Sequence, residues 1–361
     1  MSQLNIAFLG VGHPHVFPRV RLLRAMPDIA ISGFFEPDPQ IASQFTERTG
    51  LPHFGTADAL LATKPDVVIV NALDPQVPDL AGQAARAGAR GLLLEKPGAA
   101  SPARFYELAR ELTRRGVVVE VGYELHYTDA VTVCREVLAG DMLGDITLAR
   151  FHGGCPVGAG AELWQSIPED PGGLVFTEGS HLLEIVVDLF GTPSRVGASV
   201  RRLPAGRPTP SIGYKADLFA APTAGYEVAV GTLRHEDVGA ALLEYPDKIV
   251  TVDLTAWEPT DWCTDWAMEI YGTNGVLHAV PAPAQTRLTL RRAAGRFAAG
   301  TTVLRAPDPP PGESTLVGAY RRQLVSLLAR VSSADGTAGT AGIAGEHGCD
   351  LRIGVGVMRI M

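Results

Sequence analysis

Over the first third of the chain, short and almost unbroken apolar runs alternate with amphipathic stretches. NIAFLG, IAISGFFE, DVVIVNAL, GLLLEKP and VVVEVGY read as strands, and a continuous apolar run marks a strand covered on both faces. Between them, Phe17 to Met26, Gln40 to Thr49, AGQAARAG and Pro102 to Arg115 read as helices. This alternation predicts a parallel, doubly wound sheet forming a nucleotide-binding domain over residues 1–123. From about Ile146 the rhythm changes. ITLARFH, RVGASVRR, YEVAVGTLRH, AALLEY, KIVTVDL and WAMEIYG read as strands, several with polar and apolar residues alternating. Helices interrupt them over Asp129 to Ala139 and at FTEGSHLLEI. Residues 124–361 are therefore expected to form an α+β domain around a large, mostly antiparallel open sheet, one side solvated or facing a partner. Pro204 to Thr223 is a Pro/Gly-rich loop, and Ser332 to Gly345, rich in Gly, Ala, Ser and Thr, is expected to be mobile.

Composition narrows the class. The chain has 361 residues, 46% hydrophobic and 19% charged, which suits a globular protein of two domains. A net charge of -8 offers no electrostatic reason for a nucleic-acid or anionic-membrane partner. No run reaches the ~18–20 apolar residues of a membrane span, and MSQLNIAFLG lacks a basic n-region. Cys134, Cys155, Cys263 and Cys349 are widely spaced, which argues for reduced thiols and a cytoplasmic location.

Chemistry gathers where strands end. Gly10-Val11-Gly12-His13-Pro14-His15 follows the first strand and opens the first helix. In a dinucleotide fold the first glycine makes the tight turn, and the second lets backbone amides approach a pyrophosphate held at the helix N-terminus. Pro14 fits the first helical turn, and His15 replaces the usual third glycine, so the helix must pack less closely on the strand. A lone GxG after a strand also serves as an ordinary turn. Glu36, ending the second strand, adds an acceptor for the adenosine ribose hydroxyls and repels a 2′-phosphate, which favours NAD over NADP. Glu95, Lys96 and Pro97 end the fourth strand, at the sheet edge where ligands bind in open α/β folds. An isolated EKP is equally a surface Glu–Lys pair.

With GVGHPH, Glu36, AGARGLLLEKP, VGYELHY, AGDMLGDI, GGLVFTEGSHLLEIVVDLFG and EIYGTNG in hand, the chain resembles the Gfo/Idh/MocA oxidoreductases over nearly its whole length. The family is named for glucose–fructose oxidoreductase, inositol dehydrogenase and a rhizopine catabolism protein. The resemblance implies a Rossmann domain followed by an open-sheet domain. It also implies nicotinamide chemistry on sugars, cyclitols or related polyols, in a homodimer or homotetramer. By the same resemblance Lys96 contacts the nicotinamide ribose and the reacting hydroxyl, and His181 exchanges the hydroxyl proton. Gly10, Gly12, His13, Pro14, Glu36, Asn71, Glu95 and Lys96 are then expected at the cofactor. Tyr123, Glu124, His126, Thr177 and His181 are expected at the substrate, with Lys96, His181 and Thr177 as the catalytic set. Oxidising a secondary alcohol needs a hydride acceptor and a base, and a histidine of reference pKa ~6.5 exchanges protons near neutrality. A neighbouring ammonium stabilises developing alkoxide charge.

At ~100° per residue, Thr177, Glu184 and Asp188 share the polar face of the His181 helix, whose other faces are apolar. The family places an aspartate where Thr177 stands, and a threonine supplies no charge to an imidazolium. Glu178 takes that role only if the helix starts later than the pattern suggests. His126 stands where the family often carries arginine, and Glu124 is read either as a receiver of substrate hydroxyls or as structural. No metal is expected: His152 with Cys155, and His13 with His15, make no complete ligand set. Trp257, Trp262 and Trp266 suit a sugar-stacking wall, a packed sheet face or an oligomer interface. The expected activity is hydride transfer between NAD(P) and a secondary hydroxyl or ketone. Two alternatives stay open: glycoside cleavage by transient oxidation and elimination, and a regulator that binds dinucleotide or sugar without turnover.

Overall fold

The computed structural model describes residues 3–13, 15–154, 173–202, 236–255, 266–308, 316–334 and 348–361. The expected loop Pro204 to Thr223 and the strand YEVAVGTLRH lie outside the described residues, as do Trp257, Trp262 and Pro14. The chain divides into two compact units. The first is built from the N-terminal residues through Tyr123 together with residues from Tyr320 to Met358, and the second opens at Glu124.

In the first unit, β1 (Leu4–Leu9), β2 (Ile29–Phe35), β3 (Val67–Val70), β4 (Gly91–Leu94) and β5 (Val118–Val121) form a parallel sheet in the order β2-β1-β3-β4-β5. The chain leaves β1 in opposite directions toward β2 and toward β3. The crevice at the carboxyl ends of β1 and β3 is therefore the topological switch point, where open α/β sheets bind ligands. Seven described helices accompany the strands. They are α1 (Val16–Arg24), α2 (Pro39–Thr49), α3 (Ala57–Leu61), α4 (Val77–Arg86), α5 (Pro102–Arg115) and, from the C-terminal segment, most of α9 (Val317–Ala334) and of α10 (Leu351–Ile360). Asp38 caps α2 by accepting from Gln40 and Ile41 N–H, and Gly50 ends it in the left-handed region at φ 65. Alternate strand residues choose sides. Ala7, Leu9, Val68, Val70, Leu92 and Leu94 pack with α3, α4 and α5 in one apolar cluster.

The opposite face corrects the expected domain division, which assigns the chain end to the second domain. Helix α9 (Val317–Ala334) brings Val331 and Leu327 onto Gly91 from that face, so closely that a Cβ there would stand 2.5 Å from Val331 Cγ2. Arg330 donates to the Val119 carbonyl at 3.0 Å and ion-pairs with buried Glu120. Helix α10 sets Gly354 against Phe105 and Val121. Val121 N donates to Cys349 O at 2.7 Å, so the exposed edge of β5 is finished by the last residues of the chain. Ser332 to Ala334, expected in a mobile segment, end α9.

The second unit holds an eight-stranded sheet. Its strands are β6 (Ile146–Gly154), β7 (Arg195–Arg201), β8 (Val238–Glu244), β9 (Ile249–Thr255), β10 (Ala267–Gly272), β11 (Gly275–Val280), β12 (Gln285–Leu290) and β13 (Gly300–Arg305). The order is β13-β12-β11-β10-β6-β9-β8-β7, antiparallel except for the parallel β6–β9 pair. The last three strands extend the expected set. Helices α6 (Asp129–Ala139), α7 (Leu174–Thr177) and α8 (Gly179–Phe190) belong to this unit, and α8 packs on β6 and β9. Val250, Val252 and Leu254 are buried, while alternate positions face out. On that outer row Glu269 pairs with Arg150 at 3.5 Å and with His278 at 3.2 Å, beside exposed Leu242, Ile249 and Val303. No helix among the described residues is long and apolar enough to cross a membrane.

Candidate active site

The glycine turn sits at the carboxyl end of β1. Gly10 takes φ +72, and a Cβ there would lie 2.5 Å from Ala72 Cβ and 2.7 Å from Ala72 Cα. Glycine is thus imposed at this position by the approach of β3 and by a backbone conformation that other residues avoid. Gly12 differs. The nearest atom to a Cβ built on it is Leu73 Cδ2 at 3.7 Å, so protein packing does not require glycine there. Glu36 closes the turn from the end of β2. One carboxylate oxygen accepts from Val11 N at 2.8 Å and the other from Asp38 N at 3.1 Å. Burial raises the Glu36 carboxyl from its ordinary value, and the two backbone donors only partly offset it. A glycine turn at the β1 end, a helix start beyond it and an acid at the β2 end fit a dinucleotide.

His15 explains how the helix tolerates the missing third glycine. The imidazole stands at the N-cap of α1, and its Nδ1 lies 2.9 Å from Glu95 Oε1, filling the gap between helix and β4 with a hydrogen bond. Glu95 is the hub of a wholly buried network. Its Oε2 accepts from Arg19 Nη1 at 2.6 Å and from Asn71 Nδ2 at 3.0 Å, while Arg19 also donates to Asn71 Oδ1 at 2.9 Å. The second Arg19 nitrogen reaches Gln323 of α9 at 3.4 Å. Asn71 ties the network to the turn, for its carbonyl accepts from His13 N at 3.1 Å. Burial pushes the Glu95 carboxyl up, but the charges of His13, His15 and Arg19 and the His15 hydrogen bond outweigh it and hold Glu95 well below the usual range. Burial holds His13 well below its ordinary value, and the Arg19 guanidinium, 2.6 Å from Oε2, is a cation in direct contact with Glu95.

Arg19 escaped the sequence reading, although it left a signal. It falls on the same face of α1 as Val16, Val20 and Leu23, a cation on an apolar stripe. The structure also brings His13, His15 and Glu95 together, with potential ligand atoms within 4.8 Å of one another. A cation placed there would share its carboxylate with Arg19, which disfavours a second positive charge.

Lys96 follows Glu95 and is 2% exposed. The end of β5 passes tightly beside it: Gly122 N donates to Leu94 O at 2.7 Å, and a Cβ at Gly122 would meet Arg19 Nη2 at 2.8 Å. Tyr123, the next residue, is fully buried.

The second unit collects Glu124, His126, Thr177 and His181. Glu124 and His126 lie on a single 3-10 turn, Glu124–Tyr127, which packs against α8. The expected continuous helix through Thr177 and His181 is interrupted. Thr177 ends α7, Glu178 stands at the junction as N-cap of α8, and His181 lies in the first turn of α8. Thr177 Oγ1 donates to Gly173 O at 3.1 Å, so the single hydroxyl proton serves its own backbone. His181 has no exposed surface, and its ring meets the edge of Trp266 at 6.0 Å between centroids. Trp266 is a core residue: its indole N donates to Gly154 O at 2.8 Å and its ring lies on Gly153.

Around His181 the acids of α8 have cationic partners. His126 Nδ1 lies 2.5 Å from Glu184 Oε1, and Arg135 Nε donates to Asp188 Oδ2 at 2.5 Å. Burial opposes a charged His126, but the Glu184 charge and hydrogen bond outweigh it and raise the imidazole. Burial raises Glu184 as well, so the pair keeps its proton to higher pH than an exposed pair would. Glu124 Oε1 stands 4.0 Å from His181 Nε2, both side chains wholly buried.

Two sequence profiles match. One, described as "Oxidoreductase family, NAD-binding Rossmann fold", covers residues 4–123, and the other, "GFO/IDH/MocA C-terminal domain", covers 131–278. The chain belongs to the Gfo/Idh/MocA oxidoreductase family. It is 25% identical over 212 residues to an uncharacterized oxidoreductase of Schizosaccharomyces pombe, a match spanning 56% of this chain and 57% of that protein. Its fold is similar to an oxidoreductase from Agrobacterium radiobacter crystallised with NAD+, L-tartaric acid and magnesium, with a TM-score of 0.77 and 14% identity over 99% of this chain and 94% of the other. It is also similar to levoglucosan dehydrogenase in complex with NADH and levoglucosan, with a TM-score of 0.75 and 14% identity over 99% and 95%.

Proposed function

We propose that this protein is an NAD(P)-dependent dehydrogenase or reductase that moves a hydride between the nicotinamide and a secondary hydroxyl or ketone of a sugar, cyclitol or related polyol. The reading is carried by the union, in one chain of this family, of a glycine turn closed by Glu36 and a wholly buried imidazole, His181, facing the Glu124 carboxylate. Backbone amides of the turn hold the pyrophosphate, and Glu36 receives the adenosine ribose hydroxyls. Its charge repels a 2′-phosphate, so NAD is the preferred cofactor. When bound, the nicotinamide supplies the hydride acceptor. His181 takes the hydroxyl proton, and the Lys96 ammonium orients the oxygen and stabilises its developing charge. Thr177 acts as a hydrogen-bonding wall at the substrate, since its hydroxyl carries no charge.

The test is formation of reduced nicotinamide with NAD and with NADP over a panel of aldoses, cyclitols and anhydrosugars, levoglucosan among them. Turnover that disappears in both Lys96→Ala and His181→Ala, with the fold retained, supports the reading. Near-normal turnover in either variant removes the mechanism. Sugar released from a glycoside without net reduced nicotinamide points instead to oxidation–elimination chemistry. NAD binding without turnover points to a regulator. The outer row of the eight-stranded sheet, with Leu242, Ile249 and Val303 between 41% and 49% exposed, suits a homodimer or homotetramer interface, which sedimentation measures directly.

A further inference from the structure

An imidazole that collects a proton inside a dry site needs a negative charge beside it, because burial alone disfavours the imidazolium. In this chain position 177 does not supply that charge. Thr177 is neutral, and its hydroxyl proton goes to Gly173 O at 3.1 Å. On α8, Glu184 is matched to His126 at 2.5 Å and Asp188 to Arg135 at 2.5 Å. The imidazole that faces Glu124 is His181, at 4.0 Å from Oε1 to Nε2, with neither side chain exposed. Glu124 comes from a different element, the 3-10 turn after β5, which packs directly on α8.

We infer that Glu124 is the charge partner of His181, replacing from the 3-10 turn the carboxylate that the chain lacks at position 177. The inference rests on the dehydrogenase reading above. At 4.0 Å the carboxylate is beyond hydrogen-bond reach, so it acts by charge and does not occupy Nε2. As the substrate C–H bond breaks, both its electrons leave with the hydride to the oxidised nicotinamide. The C–O double bond forms from the O–H electron pair, and the proton passes to the His181 ring. The imidazolium then sits opposite the Glu124 carboxylate until it gives the proton to solvent. Glu124 is therefore a positioning residue that works through His181.

The test is the pH profile of kcat/KM with the panel substrate that the parent oxidises fastest. Oxidation requires neutral His181, so the acidic limb reports the imidazole. Glu124→Gln keeps the shape and removes the charge. The limb is expected to move about one pH unit lower, as loss of an opposite charge within ~4–6 Å dictates. The plateau kcat is expected to fall by at least tenfold. Glu124→Asp keeps the limb near its parent position, and Glu124→Gln/Thr177→Asp returns it upward and recovers rate. The ionisable neighbours Glu178, Glu184, His126 and Arg135 are unchanged in every variant. A limb that stays in place in Glu124→Gln, with or without loss of rate, overturns the inference while leaving the dehydrogenase reading intact. If Glu124→Gln fails to fold, Glu124→Leu reads the same coupling: the limb is expected to move lower, and an unmoved limb overturns the inference. A parent that turns over nothing on the panel overturns the dehydrogenase reading and the inference with it.

Discussion

Alanine at Gly10 and alanine at Gly12 are the same chemical change two residues apart, and the structure assigns them opposite consequences. At Gly10 the backbone φ of +72 lies where an L side chain costs about 1–2 kcal/mol. The new methyl would also stand 2.5 Å from Ala72 Cβ and 2.7 Å from Ala72 Cα, in the buried turn that follows β3. Overpacking of that kind adds about 1–3 kcal/mol, for a total of roughly 2–5 kcal/mol. Against a typical domain stability of about 5–15 kcal/mol that is a large loss. At Gly12 the nearest heavy atom would be 3.7 Å away, an ordinary contact, so the folded protein should lose less than about 0.5 kcal/mol. On the proposed reading the methyl stands between the turn and the pyrophosphate, and NAD affinity should drop at least about tenfold, or 1.4 kcal/mol. Urea unfolding without cofactor and calorimetric titration with NAD separate the two effects. Equal destabilisation by both substitutions, or parent NAD affinity in Gly12→Ala, would refute the division of labour.

Arg19→Met should cost about 3–5 kcal/mol in denaturant unfolding, because it strands the Glu95 carboxylate in a site with no exposure, whereas Arg19→Met/Glu95→Gln should recover much of the loss. Glu36→Ala should raise activity with NADP relative to NAD, and an unchanged ratio in cofactor kinetics would remove Glu36 as the discriminator. Both His13 and Glu95 are depressed in the folded state, so their contributions are complete above their unfolded values of 6.5 and 4.5 and are lost as pH falls through the folded ones. Thermal stability should accordingly decline below about pH 6.5, and His13→Gln should flatten the first part of that decline. Gly91→Val, which drives a side chain into Val331 of α9, should destabilise the first unit by about 1–3 kcal/mol in urea.

Much of the site was legible one residue at a time. Glu36, Glu95 and Lys96 each follow an apolar run, and a polar residue at the carboxyl end of a buried strand announces itself without knowledge of its neighbours. The histidine among leucines of α8 was likewise visible as a polar interruption. What escaped was partnership. Arg19 gave a local sign on α1, but its meaning depends on Glu95 at the end of β4 and Gln323 in α9, far apart in sequence. The polar strands β12 and β13 carry a weak alternation that only pairing, of β12 with β11 and of β13 with β12, makes decisive. The helix break at Glu178 separates Thr177, at the end of α7, from His181 in α8, a choice that periodicity at a fixed angle per residue does not contain.

By itself the sequence determined the two architectures and the chemistry at the strand ends, because period, burial and turn preference are local properties of consecutive residues. Tertiary structure alone decided that residues beyond Tyr320 complete the first unit, that Arg19 contacts Glu95, and that the carboxylate opposite His181 comes from Glu124. Those outcomes are differences between burying a charge alone and burying it with a partner, and a partner is specified only when distant segments meet.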